Sequence, residues 1–153
     1  MEFQGINKLS LLDYPGKVAA ILYIDKCNFR CEYCHNWNTL IAAEDNEDLI
    51  FNDILSFLKK RVGVLDGVVI SGGEPTLMPN LEEKIRAIKE LGYSIKLDTN
   101  GTHPEVVKDL VFKGLVDYVA MDIKSSLDDY HRFTNNDELI NKVKESIELL
   151  KSE

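Results

Sequence analysis

The sequence predicts an α/β fold, a partial (β/α) barrel built on a curved parallel sheet. Three observations carry that expectation. Short apolar runs recur four times along the chain, each followed by a stretch with helical periodicity. Each run ends in a short polar or glycine-bearing loop. No low-complexity segment, internal repeat or Pro/Gly-rich linker interrupts the pattern, so a single domain is expected over residues 1–153.

The first run, 18–24, is continuously apolar, as a strand buried on both faces requires, and opens directly into a cysteine-bearing loop. Asn52 is placed to cap a helix over 52–61, whose apolar positions are Ile54, Leu55, Phe57 and Leu58. The second strand, 67–71, runs into Gly72-Gly73-Glu74-Pro75. Asn80 then caps a helix with Glu82 and Glu83 in its first turn, and Gly92 closes it. A third strand over 93–98 leads into the turn Thr99-Asn100-Gly101. Pro104 suits the first position of the next helix, which Gly114 ends. The fourth strand covers 116–122, a helical turn covers 126–132, and a last helix starts at 137.

In a parallel sheet of this kind, function collects at the carboxyl ends of the strands. The cysteine loop, Gly72 to Pro75, Asp98 to Gly101 and Asp122 to Lys124 each follow a different strand at that edge. Four polar loops on one rim define a candidate site. Because four βα units do not close a barrel, the chain is expected to be truncated after the fourth, leaving an edge strand exposed.

Composition narrows the classes of function. A net charge of −8 argues against nucleic acid, whose phosphates demand clustered Lys and Arg. Lys59-Lys60-Arg61 reads as the basic end of a helix instead. Nothing approaches the ~20 apolar residues of a membrane span, and the first ten residues lack the signature of a secretion signal. A cytoplasmic protein is expected. Its three cysteines, an odd number packed into one loop, suit a metal site in a reducing compartment rather than a disulfide framework.

Cys27, Cys31 and Cys34 offer three thiolates, and iron–sulfur clusters are held by such ligands, usually four to a four-iron cluster. Three would leave one iron open to a ligand. Two alternatives exist: a zinc knuckle completed by His35, or three inert core cysteines. Zinc sites commonly arrive as two separated pairs, and polar residues between these cysteines argue against a core role.

The spacing Cys27-x-x-x-Cys31-x-x-Cys34, with Tyr33 before the last cysteine, resembles the signature of the radical S-adenosylmethionine superfamily. Gly72-Gly73-Glu74-Pro75 resembles the loop of that family that binds the methionine end of the cofactor. A 4Fe-4S cluster on the three cysteines and S-adenosylmethionine on the open iron are therefore implied. The glycines would permit close backbone approach, and the Glu74 carboxylate could pair with the ligand's ammonium.

Asp13-Tyr-Pro-Gly16, Cys34-His35-Asn36, Asp98-Thr-Asn-Gly101 and Met121-Asp-Ile-Lys124 look like the activating enzymes of glycyl radical enzymes. The nearest likeness is to the activating proteins of anaerobic ribonucleoside-triphosphate reductase. This resemblance implies that Tyr33, His35, Gly72, Gly73, Glu74, Asp122 and Lys124 contact the cofactor. It implies that Asp98, Thr99 and Asp122 hold a monovalent cation, Na+ or K+, beside the ligand's carboxylate. Asp13 would face the glycine loop of the partner, a glycyl radical enzyme, and a flavodoxin- or ferredoxin-like protein would supply electrons.

Two rival functions follow from the same residues: a radical synthase acting on a small molecule, and an iron–sulfur module without radical chemistry. Each residue also has a plainer reading. Asp98 and Asn100 are common turn formers, Asp13 could merely shape the turn before Pro15, Lys124 could be a surface lysine paired with Asp122, Trp37 could be packing, and His131 reads as surface.

Overall fold

The structure, a computed structural model, describes residues 3–31, 34 and 50–152. Among these, five strands form one sheet in sequential order: β1 (Phe3–Ser10), β2 (Ala19–Ile24), β3 (Gly67–Gly72), β4 (Ser94–Thr99) and β5 (Tyr118–Met121). β2 to β5 run parallel, as expected. β1 adds an antiparallel strand on β2 that the sequence pattern did not announce. Its residues, FQGINKLS, are mostly polar with no clean alternation, so pairing to β2 rather than an amphipathic pattern makes it a strand.

Four α-helices accompany the described strands: α1 (Phe51–Lys59), α2 (Leu81–Lys89), α3 (Pro104–Phe112) and α4 (Asp137–Ser152). β2, β3 and β4 alternate between two environments. Ala20, Leu22, Ile24, Val68, Ile70, Ile95 and Leu97 share the main core with Ile54 and Leu58 of α1, Ile85 and Ile88 of α2, and Val107 and Leu110 of α3. Ala19, Ile21 and Val69 instead meet Tyr14 on the opposite face. Helices on one face of a sequentially ordered sheet make part of a barrel, whereas a doubly wound sheet would carry them on both.

Several local expectations change in detail. Asn52 does not cap α1: the cap falls two residues earlier, at Ile50, and no side chain bonds the first turn. Asn80 occupies the cap position of α2, but its side chain makes no cap bond there. Val18 falls outside β2, where its N–H is taken by the Asp66 carboxylate at 3.0 Å. Pro104 begins α3 as expected. Gly114 ends it in the left-handed region at φ 66°, with the Leu115 N–H returning to Leu110 O at 3.0 Å.

A second small core lies beyond β5. Phe29 and Cys31 of the cysteine loop pack with Tyr130 of the 3-10 helix Leu127–Arg132, with Phe133 at that helix's C-cap, and with Val143 of α4. The Phe29, Tyr130 and Phe133 rings meet edge-on at about 6 Å between centroids. Arg30 N–H donates to Phe133 O at 3.2 Å. The last helix thus buttresses the cysteine loop.

Candidate active site

The carboxyl ends of the parallel strands surround a cavity of about 570 Å³, within the usual range for small-molecule sites. Each of the four loops expected at this rim contributes: Cys27, Cys31 and Cys34; Gly72 and Gly73; Asp98, Thr99 and Asn100; Asp122 and Lys124. Tyr33 and His35, expected to contact the cofactor, lie outside the described residues, as does Trp37.

The three thiols are free and line one cavity. Burial pushes the Cys27 and Cys31 thiols above their ordinary range. At Cys27 the Phe29 N–H, 3.4 Å from Sγ, works against that rise, while Glu74 and the other two thiols add to it. At Cys31 Lys124 works against the rise, while Cys34 and Asp122 add to it. Thiols that crowd one another in this way are better suited to sharing cationic iron than to standing as thiolates alone. Among the described residues no three thiol, imidazole or carboxylate groups converge on the position of a single metal ion. A cluster does not require that, since each cysteine takes its own iron.

Gly72 and Gly73 serve close backbone packing. Gly72 sits at φ 106°, and a Cβ there would stand 2.4 Å from Ile24 O. A Cβ on Gly73 would stand 2.1 Å from Lys26 O. The Gly73 N–H donates to Ile24 O at 2.9 Å and the Glu74 N–H to Lys26 O at 2.7 Å, stitching this loop to the segment that launches the cysteines.

Glu74 takes a different place from the one expected. Its side chain is fully buried and does not line the cavity. Oε1 accepts from Thr76 N–H (3.1 Å), the Thr76 hydroxyl (2.5 Å) and the Thr99 hydroxyl (2.7 Å), and Oε2 accepts from Asn100 N–H (2.6 Å). Four donors meet the carboxylate, so the residue braces two loops from behind the cavity wall.

A hydrogen-bonded ring continues from there. Asn100 Oδ1 accepts from the Thr102 N–H (3.1 Å) and hydroxyl (2.8 Å), which turns its amide nitrogen toward Asn28 Oδ1 (2.8 Å) and Cys27 Sγ (3.9 Å). Asn28 Nδ2 donates back to Thr102 Oγ1 at 2.9 Å. Thr76 and Thr102 have thus spent their hydroxyl protons on Glu74 and Asn100. His103 Nδ1 stands 3.0 and 3.1 Å from the two hydroxyl oxygens and ties them together. Residues 28, 76, 102 and 103 escaped the sequence reading, because isolated Asn, Thr and His residues carry no periodic signal.

At the far wall, Lys124 pairs with Asp122, and the Lys124 N–H donates to the Tyr130 hydroxyl at 3.0 Å. Burial opposes the Lys124 charge, but Asp122 and the Cys31 and Cys34 thiols more than offset it and hold the ammonium above its ordinary range. Lys96, another residue the sequence reading passed over, lines the cavity and places Nζ 2.6 Å from Asp98 Oδ1. Asp13 does not line the cavity. It sits on the β1–β2 loop, where its carboxylate accepts from the Ser10 hydroxyl. Its field reaches Tyr23, whose phenol is raised first by burial and then by Asp13 and Asp98.

Known proteins resemble this chain over most of its length. The family model of the Radical SAM superfamily matches residues 21–153. A protein of Methanocaldococcus jannaschii assigned as a glycyl-radical enzyme activating enzyme is 42% identical over 154 residues, with 96% of this chain and 62% of the relative covered. Pyruvate formate-lyase-activating enzymes of Clostridium pasteurianum and Staphylococcus aureus are 30% and 33% identical, over 84% and 83% of this chain and 54% of each relative. The chain therefore spans little more than half the length of the latter two. Among solved structures, TYW1 with a lysine-pyruvate adduct bound superposes with a TM-score of 0.62 at 19% identity, over 88% of this chain and 52% of that one. This last likeness concerns the fold.

Proposed function

Because the chain belongs to the Radical SAM superfamily, we propose that it is the core domain of a glycyl-radical-enzyme activating enzyme. Its reaction is the reductive cleavage of S-adenosylmethionine, followed by hydrogen abstraction from a glycine of a partner protein. The observation that carries this reading is the convergence of Cys27, Cys31 and Cys34 with Gly72, Gly73, Asp122 and Lys124 around one cavity. The motif resemblances and the names borne by its relatives support the activating role.

The three thiols would hold a 4Fe-4S cluster, which when reduced supplies the electron that splits S-adenosylmethionine into methionine and a 5′-deoxyadenosyl radical. The residues of the chain position the reactants. Gly72 and Gly73 bring backbone to the cavity wall without side-chain bulk. Lys124, held by Asp122, presents an ammonium to the ligand's carboxylate. Glu74 acts from behind, locking the Gly72-Gly73 loop to the Thr99-Asn100 turn. Asp13, exposed on the β1–β2 loop, is assigned to the partner's glycine segment, and a flavodoxin- or ferredoxin-like protein to electron delivery. Anaerobic ribonucleoside-triphosphate reductase is the partner the motif likeness favours. Three free thiols suit the reducing cytoplasm, and among the described residues no helix is long and apolar enough to cross a membrane.

Electron paramagnetic resonance on anaerobically reconstituted, dithionite-reduced protein tests the first step. A cluster signal that shifts on adding S-adenosylmethionine is expected, and one indifferent to it would overturn the reading. Partner choice is tested with anaerobic ribonucleotide reductase and pyruvate formate-lyase, each deuterated at glycine. The true partner passes deuterium into 5′-deoxyadenosine.

A further inference from the structure

We infer that Lys96 is the cavity's built-in counter-ion, standing where a Na+ or K+ ion was expected, so that ligand binding here is independent of alkali cations. The three expected cation ligands are all engaged. Asp98 is bonded to Lys96 at 2.6 Å and Asp122 to Lys124. The Thr99 hydroxyl, on a buried residue, donates to Glu74 at 2.7 Å and accepts from the Gly101 N–H at 3.1 Å. Two ammonium groups of the chain thus already hold an oxygen of each aspartate where a metal ion would sit. Among the lysines and aspartates lining the cavity, two of each face one another, so each carboxylate already has a cationic partner from the chain itself.

Lys96 cannot readily leave Asp98 to make room. Strand alternation sends Ile95 and Leu97 to the helices and Lys96 to the cavity face, where its side chain is 11% exposed. Its neighbours in register are Val69 on β3 and Tyr118 on β5. Parting from Asp98 would cost the ammonium a charge-assisted bond at a residue only 8% exposed. With one donor on Asp98, the ammonium retains two for an anionic group in the cavity. The ligand chemistry that fits is a carboxylate. Its identification with the methionine carboxylate rests on the function proposed above.

Two measurements on reconstituted wild type, Lys96→Met and Lys96→Arg separate this inference from that function. The first is the S-adenosylmethionine dissociation constant by calorimetry in NaCl, KCl and choline chloride at equal ionic strength. Wild type and Lys96→Arg should agree across the three salts within about twofold. Lys96→Met should bind about tenfold or more weakly in choline chloride and recover in Na+ or K+. Wild-type binding that falls about tenfold without alkali cations would overturn the inference, as would a Lys96→Met protein indifferent to both the substitution and the salt. The second is 23Na line broadening without S-adenosylmethionine. Broadening by Lys96→Met alone upholds the inference, whereas broadening by wild type, or by none of the proteins, overturns it. If S-adenosylmethionine binds no form of the protein, the proposed function fails while the 23Na result still decides the role of Lys96. The wild-type arms stand alone should Lys96→Met not fold.

Discussion

Glu74 shows how a motif residue can sit behind a cavity wall and not in its lining. Four hydrogen-bond donors converge on its buried carboxylate. In Glu74→Gln an amide NH2 replaces one oxygen and faces a donor. The expected cost is about 1–3 kcal/mol, the penalty for an unsatisfied buried polar group, seen as a lower urea midpoint with an unchanged m-value. Lys84 illustrates a different charge problem. It is buried in α2 with Nζ over the Phe3 and Phe51 rings at 5.3 and 5.0 Å, and burial holds its ammonium below the ordinary 10.5. Between the folded and unfolded titrations the unfolded chain binds more protons, so stability rises with pH through that interval. Lys84→Met should flatten this alkaline rise, measured as melting temperature against pH up to 10.5.

At the scale of elements, the cysteine loop depends on partners far away in sequence. Its Phe29 and Cys31 rest on Tyr130, Phe133 and Val143, and Tyr130 also receives the Lys124 N–H. The loop is therefore shaped from below by α4 and the 3-10 helix, and from the side by Gly73 and Glu74 pairing with Ile24 and Lys26. Tyr130→Ala should cost about 3–5 kcal/mol, as large aromatic truncations in cores do. It should also lower iron and sulfide content after reconstitution, because the thiols lose their support. A merely local cavity would reduce stability and leave iron content unchanged.

For the whole molecule, the cavity joins two regions that otherwise share few residues: the sheet with its helices, and the small core around Tyr130. Ligands bound across such a junction stabilise both sides. Removing the cluster by oxidation and chelation should lower the melting temperature and speed protease cleavage within residues 122–136 more than in β2 to β4. Equal protection in both forms would show that the thiols contribute nothing to holding these regions together. The rim was legible in the sequence because its residues follow strands: period and turn chemistry alone put Cys27, Gly72, Asp98 and Asp122 at one edge, and all four line the cavity. The parallel strand order and the start of α3 at Pro104 were equally local in origin, resting on apolar runs and a fixed proline φ. What only the tertiary structure decided were the pairings between separated segments. β1 became a strand through β2, Glu74 turned inward because Thr99 and Asn100 met it, and Lys96 faced the cavity beside Asp98. Each of these is set by where distant polar atoms find partners once water is excluded, and that is a property of packing rather than of any stretch of sequence.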